Sequence, residues 1–389
     1  MSNWRKILAR VAHDVESEFD DLKYRLAERL GREDPLLVLP YRGYGSRRRL
    51  YLKGRVLEDE GITLSTDDDT VWRNLLNTFR RLDSDEVPGA RVRVLFQDVV
   101  EEVVADEEGF FEVWLEPSKP APADRLWHDV ELELLAPEAE DGRPVRATGR
   151  VLAPPPEASL AVISDIDDTV LQSHVTDLVR MARTVFLGNA RTRLPFPGVA
   201  AFYRALQQGP AGDGRNPLFF LSSSPWNLYD LLVEFFQLQE IPRAPLFLRD
   251  WGVTRSEILP TENRAHKIDV LHRLFDFYDD LSFILIGDSG QQDPEIYREV
   301  VEAYPGRVLA VYIRSVEEDG GRAAAVRKLA EEIRAAGSTL ILAEDTLAMA
   351  RHAAQEGWIG DEAIRQVAEE IAAAEEATGE LEAILGDEA

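Results

Sequence analysis

The chain has 389 residues, and its 71 acidic and 44 basic side chains give a formal net charge of −27. This acidity argues against a general nucleic-acid-binding protein, which needs a basic surface for the phosphate backbone. The sequence holds no cysteine, so disulfides, thiolate metal sites and cysteine nucleophiles are excluded. Because no segment approaches the ~20 apolar residues of a membrane span, we expect a cytoplasmic protein.

The first segment, residues 1–34, is predicted to be an amphipathic helix. Its apolar residues recur with helical spacing from Trp4 to Leu26, and Gly31 stands where such a helix would end. We interpret the apolar stripe as a packing face. A helix lying on a membrane surface is the alternative, although anionic lipid would repel the acidic side chains of the later turns.

Residues 35–152 are predicted to form a β-rich, sandwich-like domain. Short segments of alternating apolar and polar residues are separated by turn signals, as in small antiparallel sandwiches. Within this domain we interpret residues 70–82 as a helix or a long loop. The predicted strand segments are 50–57, 91–96, a strand–turn–strand stretch over 103–114, and 130–134.

A proline-rich linker, residues 153–159, marks the boundary with a predicted second domain, residues 160–389. Beyond the linker, short apolar runs alternate with helical stretches, a pattern typical of an α/β domain built on a doubly wound parallel sheet. The C-terminal part is predicted to be helical and acidic. The apolar runs are 160–164, 218–221, 283–286, 308–313 and 339–342.

Polar side chains follow three of these predicted strands, at the edge where an open α/β sheet binds its ligands. Carboxylates follow the first and third runs, serines follow the second, and a lysine lies on a predicted helix between the second and third. These candidate residues are Asp165, Asp167, Ser222, Ser223, Lys267, Asp288 and Asp293.

The candidate residues together suit phosphoryl transfer. Carboxylates on neighbouring strands, such as Asp165 and Asp288, can hold Mg²⁺ with water and substrate phosphate as its remaining ligands. One carboxylate can attack phosphorus to form an aspartyl-phosphate, while a second protonates the leaving oxygen and then activates water. A serine hydroxyl and a lysine would hold the phosphoryl oxygens and neutralise their charge.

Each piece has a simpler interpretation when it is taken alone. An Asp-x-Asp pair in so acidic a chain is commonly a solvated turn, a serine cluster caps a helix, and a lone lysine lies on the surface. A calcium-binding loop is disfavoured because the glycine and glutamate of its sixth and twelfth positions are missing. The ordered occurrence of all the pieces beside predicted strands favours the chemical interpretation.

The order and spacing of these motifs resemble the haloacid-dehalogenase superfamily of phosphotransferases, over about residues 160–314. The resemblance implies a Rossmann-like parallel sheet. It also implies that Asp165 is the nucleophile and that Asp167 is the acid/base, with the Asp167 carbonyl also at the metal. Asp288 and Asp293 would be the acids of the last motif, with Asp288 as the more direct metal ligand.

The same resemblance assigns the middle motifs to substrate. Ser222 would bind the phosphate, with Ser223 as the competing choice of register, and Lys267 would be the lysine of the third motif. The cofactor that the resemblance implies is Mg²⁺, held by Asp165, Asp167, Asp288 and Asp293.

Longer strings narrow the resemblance to the catalytic domain of the actin-patch-protein type of phosphatidate phosphatase. These strings are DIDDTV from residue 165, NARTRLPFPG from 189, SSSPWNLY from 222 and GDSGQQDP from 287. The resemblance implies Mg²⁺-dependent conversion of phosphatidate to diacylglycerol by a protein that docks at a membrane surface without spanning it.

Further substrate contacts are predicted within these strings. Arg191 and Arg193 would meet a phosphate or polar headgroup, with a solvated loop as the alternative, and Asn227 would contact substrate beside the serines. The neighbouring Trp226 and Tyr229 are interpreted as packing under the site, and contact with substrate is the alternative. A basic stretch over residues 42–55 is interpreted as pairing with acids of the same chain, and contact with anionic lipid is the alternative.

Two other functions stay open from the sequence. The same phosphatase chemistry can act on a soluble ester such as a sugar phosphate, nucleotide or phosphoprotein. In a second alternative, the chain is an adaptor that binds lipid or phosphate without turnover. The intact pair of Asp165 and Asp167 argues against the adaptor, because a pure binder needs no nucleophile beside an acid/base.

Overall fold

The computed structural model describes residues 35–58, 86–139, 141–167, 169–170, 196–249, 260–316 and 320–386. Several predictions lie outside these residues: the helix over residues 1–34, the helix or loop over 70–82, and the substrate contacts of Arg191 and Arg193.

The first half of the described chain forms an eight-stranded sheet, which we call the first sheet. It contains all four predicted strand regions and three strands that were not predicted, β1, β2 and β8. The strands are β1 (Leu36–Pro40), β2 (Gly43–Ser46), β3 (Arg49–Glu58), β4 (Arg91–Phe96), β5 (Val99–Val104), β6 (Phe110–Leu115), β7 (Trp127–Ala136) and β8 (Arg146–Leu152).

The first sheet is antiparallel except for one pair. Its strand order is β1-β3-β2-β8-β7-β4-β5, with β6 paired to β3. Strands β2 and β8 form the parallel pair. Alternate residues of β3, β4, β6 and β7, such as Leu52, Val94, Val113 and Leu132, meet in one apolar core, as a sandwich-like domain requires.

No helix or strand is assigned between β8 and β9, over the predicted linker. Both ends of this segment are anchored, since the Ala153 amide donates to the Leu126 carbonyl at 2.9 Å and the Ser159 amide donates to Asn216 Oδ1 at 3.0 Å. Prolines at residues 154–156 prevent continuation of the strand pairing. The domain boundary placed here stays a prediction.

The second half is built on a six-stranded parallel sheet, which we call the second sheet. Its order is β11-β10-β9-β12-β13-β14, and the five predicted strands are all present. The added edge strand β11 was not predicted. The assignment of this α/β fold to the haloacid-dehalogenase type stays a prediction. The strands are β9 (Leu160–Asp165), β10 (Leu218–Pro225), β11 (Leu246–Arg249), β12 (Ser282–Asp288), β13 (Val308–Arg314) and β14 (Leu340–Ala343).

Helices cover both faces of the second sheet. Helices α1, α2, α6 and α7 pack on one face with even-numbered residues of β9 such as Val162. Helices α3, α4 and α5 pack on the other face with odd-numbered residues such as Ile163. The bounds are α1 (Val199–Gln208), α2 (Tyr229–Leu238), α3 (Pro260–Phe277), α4 (Asp293–Ala303), α5 (Gly320–Ala335), α6 (Thr346–Gln355) and α7 (Asp361–Gly386).

Aromatic side chains join the two sheets. The Tyr44 ring lies 5.3 Å from Phe247 and 5.6 Å from Phe277, between ring centroids. Near it, the Tyr278 hydroxyl donates to the Gly45 carbonyl at 3.0 Å. These buried contacts make the first sheet a packing partner of the second.

Candidate active site

The strand order of the second sheet predicts where a ligand binds. The chain passes from β9 to β10 on one side and later returns to β12 on the other side of β9. A crevice opens beyond the carboxyl ends of the strands where the winding direction changes. Asp165 ends β9 and Asp288 ends β12, so these two carboxylates flank the switch point.

A buried lysine joins two of the predicted acids. Lys267 Nζ lies 2.6 Å from Asp165 Oδ1 and 2.6 Å from Asp293 Oδ1. All three side chains are almost fully buried, which strengthens the attraction between their charges. Lys267 reaches this position from α3, whereas Asp293 is the first residue of α4. The simpler interpretation of Lys267 as a surface residue is therefore wrong.

The turn after β12 fixes the orientation of Asp288. Its Oδ1 accepts hydrogen bonds from the amides of Gly290 at 2.7 Å and Gln291 at 2.9 Å. The Asp288 amide donates to Asp293 Oδ2 at 3.3 Å. Gly287 allows this close approach, because a Cβ there would lie only 2.5 Å from Asp293 Oδ2. The turn thus presents Asp288 Oδ2 without a hydrogen-bond partner among the described residues.

Burial changes the charge balance of the cluster. Desolvation raises the pKa of Asp165 well above its ordinary value, the neighbouring carboxylates add to this effect, and Lys267 opposes it. Desolvation and Asp293 together raise the pKa of Asp288 to about 7. Desolvation lowers the pKa of Lys267, but its two carboxylate neighbours hold it above the ordinary value. One lysine therefore leaves the acidic cluster short of positive charge.

The cluster fits a hard divalent cation. Asp165, Asp288 and Asp293 each offer one carboxylate oxygen, and these three oxygens lie within 4.8 Å of one another. The Oδ2 atoms of Asp165 and Asp288 are buried and have no hydrogen-bond partner in the part of the chain that the structure describes. Buried carboxylate oxygens need a proton, a donor or a cation, and all-oxygen sites suit Mg²⁺ and related ions.

The serine candidates differ in their surroundings. Ser222 is fully buried, and its Oγ donates to Asp167 Oδ2 at 2.9 Å and accepts from the Ser224 amide at 3.0 Å. Ser223 Oγ has no such contact among the described residues. The structure therefore brings Ser222, and not Ser223, against the predicted acid/base.

Three supporting side chains were missed from the sequence. Gln291 Nε2 lies 3.4 Å from the Asp167 carbonyl, and its Oε1 lies 3.4 Å from Lys267 Nζ. Ser164 Oγ donates to the Asp165 carbonyl at 2.8 Å and lies 2.6 Å from Tyr203 Oη. For Gln291 and Ser164 the only available signal was a position within or beside a predicted motif, and for Tyr203 of α1 the sequence offered none.

Arg322 of α5 holds the turn after β12 from outside. Its Nε donates to the Ser289 carbonyl at 2.7 Å and its Nη2 donates to the Gln291 carbonyl at 2.6 Å. A bidentate pair with Glu295 completes its surroundings. Because Arg322 lies far along the chain from this turn, no local sequence signal points to the contact.

Other predicted contacts are not tested. Asn227 lies in a 3₁₀ turn, Trp226–Leu228, directly after β10, and its contact with substrate stays a prediction. The packing role predicted for Trp226 and Tyr229 is confirmed, because both rings pack against Tyr41 of the first half. The two side chains also pack into the apolar core on one face of the second sheet.

Three of the six basic side chains in the stretch over residues 42–55 form ion pairs with acids of the same chain. Arg49 contacts Glu116 at 3.1 Å, and Lys53 contacts Glu112 at 3.4 Å. Arg55 contacts Glu86 at 2.8 Å. These ion pairs support the first interpretation of the stretch, and contact with lipid stays an untested alternative. None of the helices in the described ranges combines the length and the apolar character needed to cross a membrane.

Solved structures provide only a weak likeness. A carbohydrate acetylesterase from Xanthomonas citri superposes with a TM-score of 0.27 at 11% identity, covering 75% of this chain and 72% of that one. So low a score carries no argument about fold or chemistry.

Two curated relatives match part of the chain. Phosphatidate phosphatase APP1 of Saccharomyces cerevisiae is 31% identical over 156 residues, which is 40% of this chain and 26% of that protein. An uncharacterized protein of Schizosaccharomyces pombe is 33% identical over 163 residues, which is 41% of this chain and 26% of that protein. The match thus spans about a quarter of the length of either relative.

The family match covers the residues that form the site. The model for the catalytic domain of phosphatidate phosphatase APP1 matches residues 160–315. This range runs from the first residue of β9 to the residue after β13, and it contains Asp165, Ser222, Lys267 and Asp288. The resemblance predicted from the sequence is therefore confirmed, because residues 160–315 match the model for the catalytic domain of phosphatidate phosphatase APP1.

Proposed function

We propose that this protein is a Mg²⁺-dependent phosphatase that hydrolyses a phosphomonoester through an aspartyl-phosphate. The observation that carries the proposal is the buried cluster in which Lys267 bridges Asp165 and Asp293 beside Asp288. A buried nucleophile next to a lysine, with unpartnered carboxylate oxygens around it, suits a dianionic substrate that arrives with a cation.

In the first step of this proposal, an oxygen of Asp165 attacks phosphorus and the bond from phosphorus to the leaving oxygen breaks. Asp167 donates its proton to that oxygen, which departs as an alcohol. In the second step, Asp167 takes a proton from water, and the water oxygen attacks the phosphorus of the aspartyl-phosphate. Inorganic phosphate leaves and the Asp165 carboxylate is regenerated.

The supporting residues hold these groups in place. Ser222 donates to Asp167 Oδ2 and so orients the acid/base toward the nucleophile's pocket. Lys267 neutralises charge on Asp165 and on the phosphoryl oxygens. We propose that Asp293 chiefly positions Lys267, because its two oxygens are engaged by that lysine and by the Asp288 amide.

Asp165 and Asp288 would hold the metal through their unpartnered oxygens, with the Asp167 carbonyl and Asp293 as the further predicted ligands. Bound Mg²⁺ supplies positive charge that lets an anionic phosphate approach anionic carboxylates. Its identity as Mg²⁺ rests on the oxygen-only donor set and on the resemblance.

The proposed substrate is phosphatidate, which would yield diacylglycerol. Support comes from the match to the APP1 catalytic domain and from the relative that bears the name phosphatidate phosphatase. We further propose that a protein located in the cytoplasm reaches this lipid by peripheral contact with a membrane surface.

A substrate panel tests this proposal. Phosphate release would be measured on phosphatidate in mixed micelles and on soluble esters, with added Mg²⁺ and with a chelator. We expect Mg²⁺-dependent release with phosphatidate as the preferred substrate. A wide preference for a soluble ester would show that this ester, and not the lipid, is the substrate. Tight binding of phosphatidate without release of phosphate would favour the adaptor function.

A further inference from the structure

We infer that Tyr41, in the connection between β1 and β2, and Lys53 of β3 position the end of β10, which carries the predicted phosphate-binding serine. The first sheet would then be part of the catalytic scaffold, and not only a domain attached to it. This inference rests on the proposed function, because it assigns a positioning role toward the same site. It goes beyond the matched catalytic domain, since both residues lie outside residues 160–315.

The segment that follows the serines has little local support of its own. Strand β10 ends at Pro225, the 3₁₀ turn Trp226–Leu228 follows, and α2 begins at Tyr229. Among the residues that the structure describes, neither the turn nor α2 has a side-chain cap at its N-terminus. A turn without caps needs contacts from elsewhere in the molecule to hold one geometry.

The connection between β1 and β2, residues 41–42, and strand β3 supply those contacts. The Tyr41 ring lies 4.5 Å from the Trp226 ring and 4.6 Å from the Tyr229 ring, between centroids. The Arg42 amide donates to the Tyr229 hydroxyl at 2.7 Å. Lys53 Nζ lies 5.2 Å from the centre of the Trp226 ring, within range of a cation–π interaction. Both ends of the turn are therefore held by the β1–β2 connection and by β3.

Tyr41 and Lys53 form one unit. The Tyr41 amide donates to the Lys53 carbonyl at 2.9 Å, so the two residues are tied through the backbone. Tyr41 is only 3% exposed, and Lys53 forms an ion pair with Glu112 at its outer end. Tyr41 lies in the short connection between β1 and β2, and this hydrogen bond and its burial fix it against Lys53 of β3.

The contacts to Trp226 affect the site because Trp226 is close to Ser222 along the chain. Ser222 lies four residues before Trp226, and its Oγ contacts Asp167. A shift of about 1 Å in a group that positions substrate can lower turnover about a hundredfold. A purely structural role is the competing explanation, in which these contacts only stabilise the junction between the sheets.

The test compares Tyr41→Ala and Lys53→Met with Tyr41→Phe and Tyr278→Phe. Tyr41→Phe keeps the ring, while Tyr278→Phe removes a junction hydrogen bond to Gly45 that does not involve the turn. We expect Tyr41→Ala to lower kcat about tenfold or more and to weaken binding of inorganic phosphate, measured by calorimetry with Mg²⁺, by a similar factor. Lys53→Met should act in the same direction with a smaller effect.

Tyr41→Phe should keep kcat and phosphate affinity within about twofold of the wild-type values. Tyr278→Phe should leave both values unchanged while it lowers thermal stability. The inference is wrong if Tyr41→Ala and Lys53→Met fold with unchanged kcat and phosphate affinity. If Tyr41→Ala does not fold, Lys53→Met alone decides between these outcomes. Failure of the proposed phosphatase function can be distinguished from failure of this inference, because the wild-type protein itself would then release no phosphate.

Discussion

At the scale of single residues, the candidate site depends on how buried charges are matched. Lys267 serves two carboxylates at once, and the oxygens that it does not reach belong to Asp165 and Asp288. Leaving an anion buried without a partner is costly, so this arrangement is stable only when a proton or cation completes it. The positions of individual oxygens therefore carry the functional argument.

Replacing the two serines separately tests which one supports the acid/base. Ser222→Ala removes the donor to Asp167 Oδ2, so we expect kcat/KM for phosphate release to fall at least about tenfold. Ser223→Ala, the matched control on the same strand, should stay within about twofold of wild type. A larger loss of kcat/KM from Ser223→Ala than from Ser222→Ala would assign the supporting role to Ser223.

Gly287→Ala tests the close approach of Asp293 to β12. The added Cβ would lie 2.5 Å from Asp293 Oδ2, so Asp293 and with it Lys267 must shift. We expect loss of most activity and a decrease of about 1–3 kcal/mol in the free energy of unfolding, measured by urea denaturation. Gly142→Ala, in an exposed turn with nothing within 4 Å of the added atom, should cost stability alone. Full activity in Gly287→Ala would show that this contact is dispensable.

At the scale of elements, helices that start or pass near the sheet edge deliver the site residues. Helix α3 brings Lys267, α4 begins at Asp293, and α5 brings Arg322 back to the turn that carries Asp288. Each of these helices thus brings a side chain to the switch point. The turn after β12 is contacted both by Asp293 of α4 and by Arg322 of α5.

Arg322→Gln tests the outer support of that turn. Loss of the hydrogen bonds to the Ser289 and Gln291 carbonyls should loosen Asp288, and we expect about tenfold more Mg²⁺ to be needed for half-maximal activity. Arg327→Gln, at an exposed position of the same helix, is the control and should leave the Mg²⁺ requirement unchanged. An unchanged requirement in Arg322→Gln would contradict a supporting role.

Much of the second sheet could be predicted because buried parallel strands have short apolar runs. Strand β11, with the residues Leu246–Arg249, was missed because four residues after a proline-rich stretch give little signal. The candidate site was predicted from the order of Asp165, Ser222, Lys267 and Asp288 along the chain. The contacts by which Arg322 and Gln291 support the site are tertiary, and no local pattern in the sequence indicates them.

At the scale of the whole molecule, the two sheets act as packed partners. The hydrogen bond from the Arg42 amide to Tyr229 joins residues 187 positions apart, and the aromatic contacts around Tyr44 extend the junction. Contacts so distant along the chain were beyond prediction from the sequence, although they link the first sheet to the site. Buried aromatic junctions of this kind favour joint unfolding over independent domain motion.

Tyr278→Phe tests the strength of this junction. It removes the hydrogen bond to the Gly45 carbonyl and leaves the ring, so we expect a loss of about 1 kcal/mol in the free energy of unfolding. Tryptophan fluorescence and far-UV circular dichroism should report one shared thermal transition for the wild-type protein. Two separate transitions, with no effect of Tyr278→Phe on either, would show that the sheets are uncoupled.

The most direct measurement is phosphate release by Asp165→Asn in the presence of Mg²⁺, with phosphatidate as substrate. The variant keeps the shape of the side chain but removes the nucleophilic carboxylate, so we expect turnover to fall about a thousandfold or more. Asp213→Asn, at an exposed position of the same half of the chain, should keep wild-type turnover. If Asp165→Asn also keeps wild-type turnover, the aspartyl-phosphate mechanism is wrong.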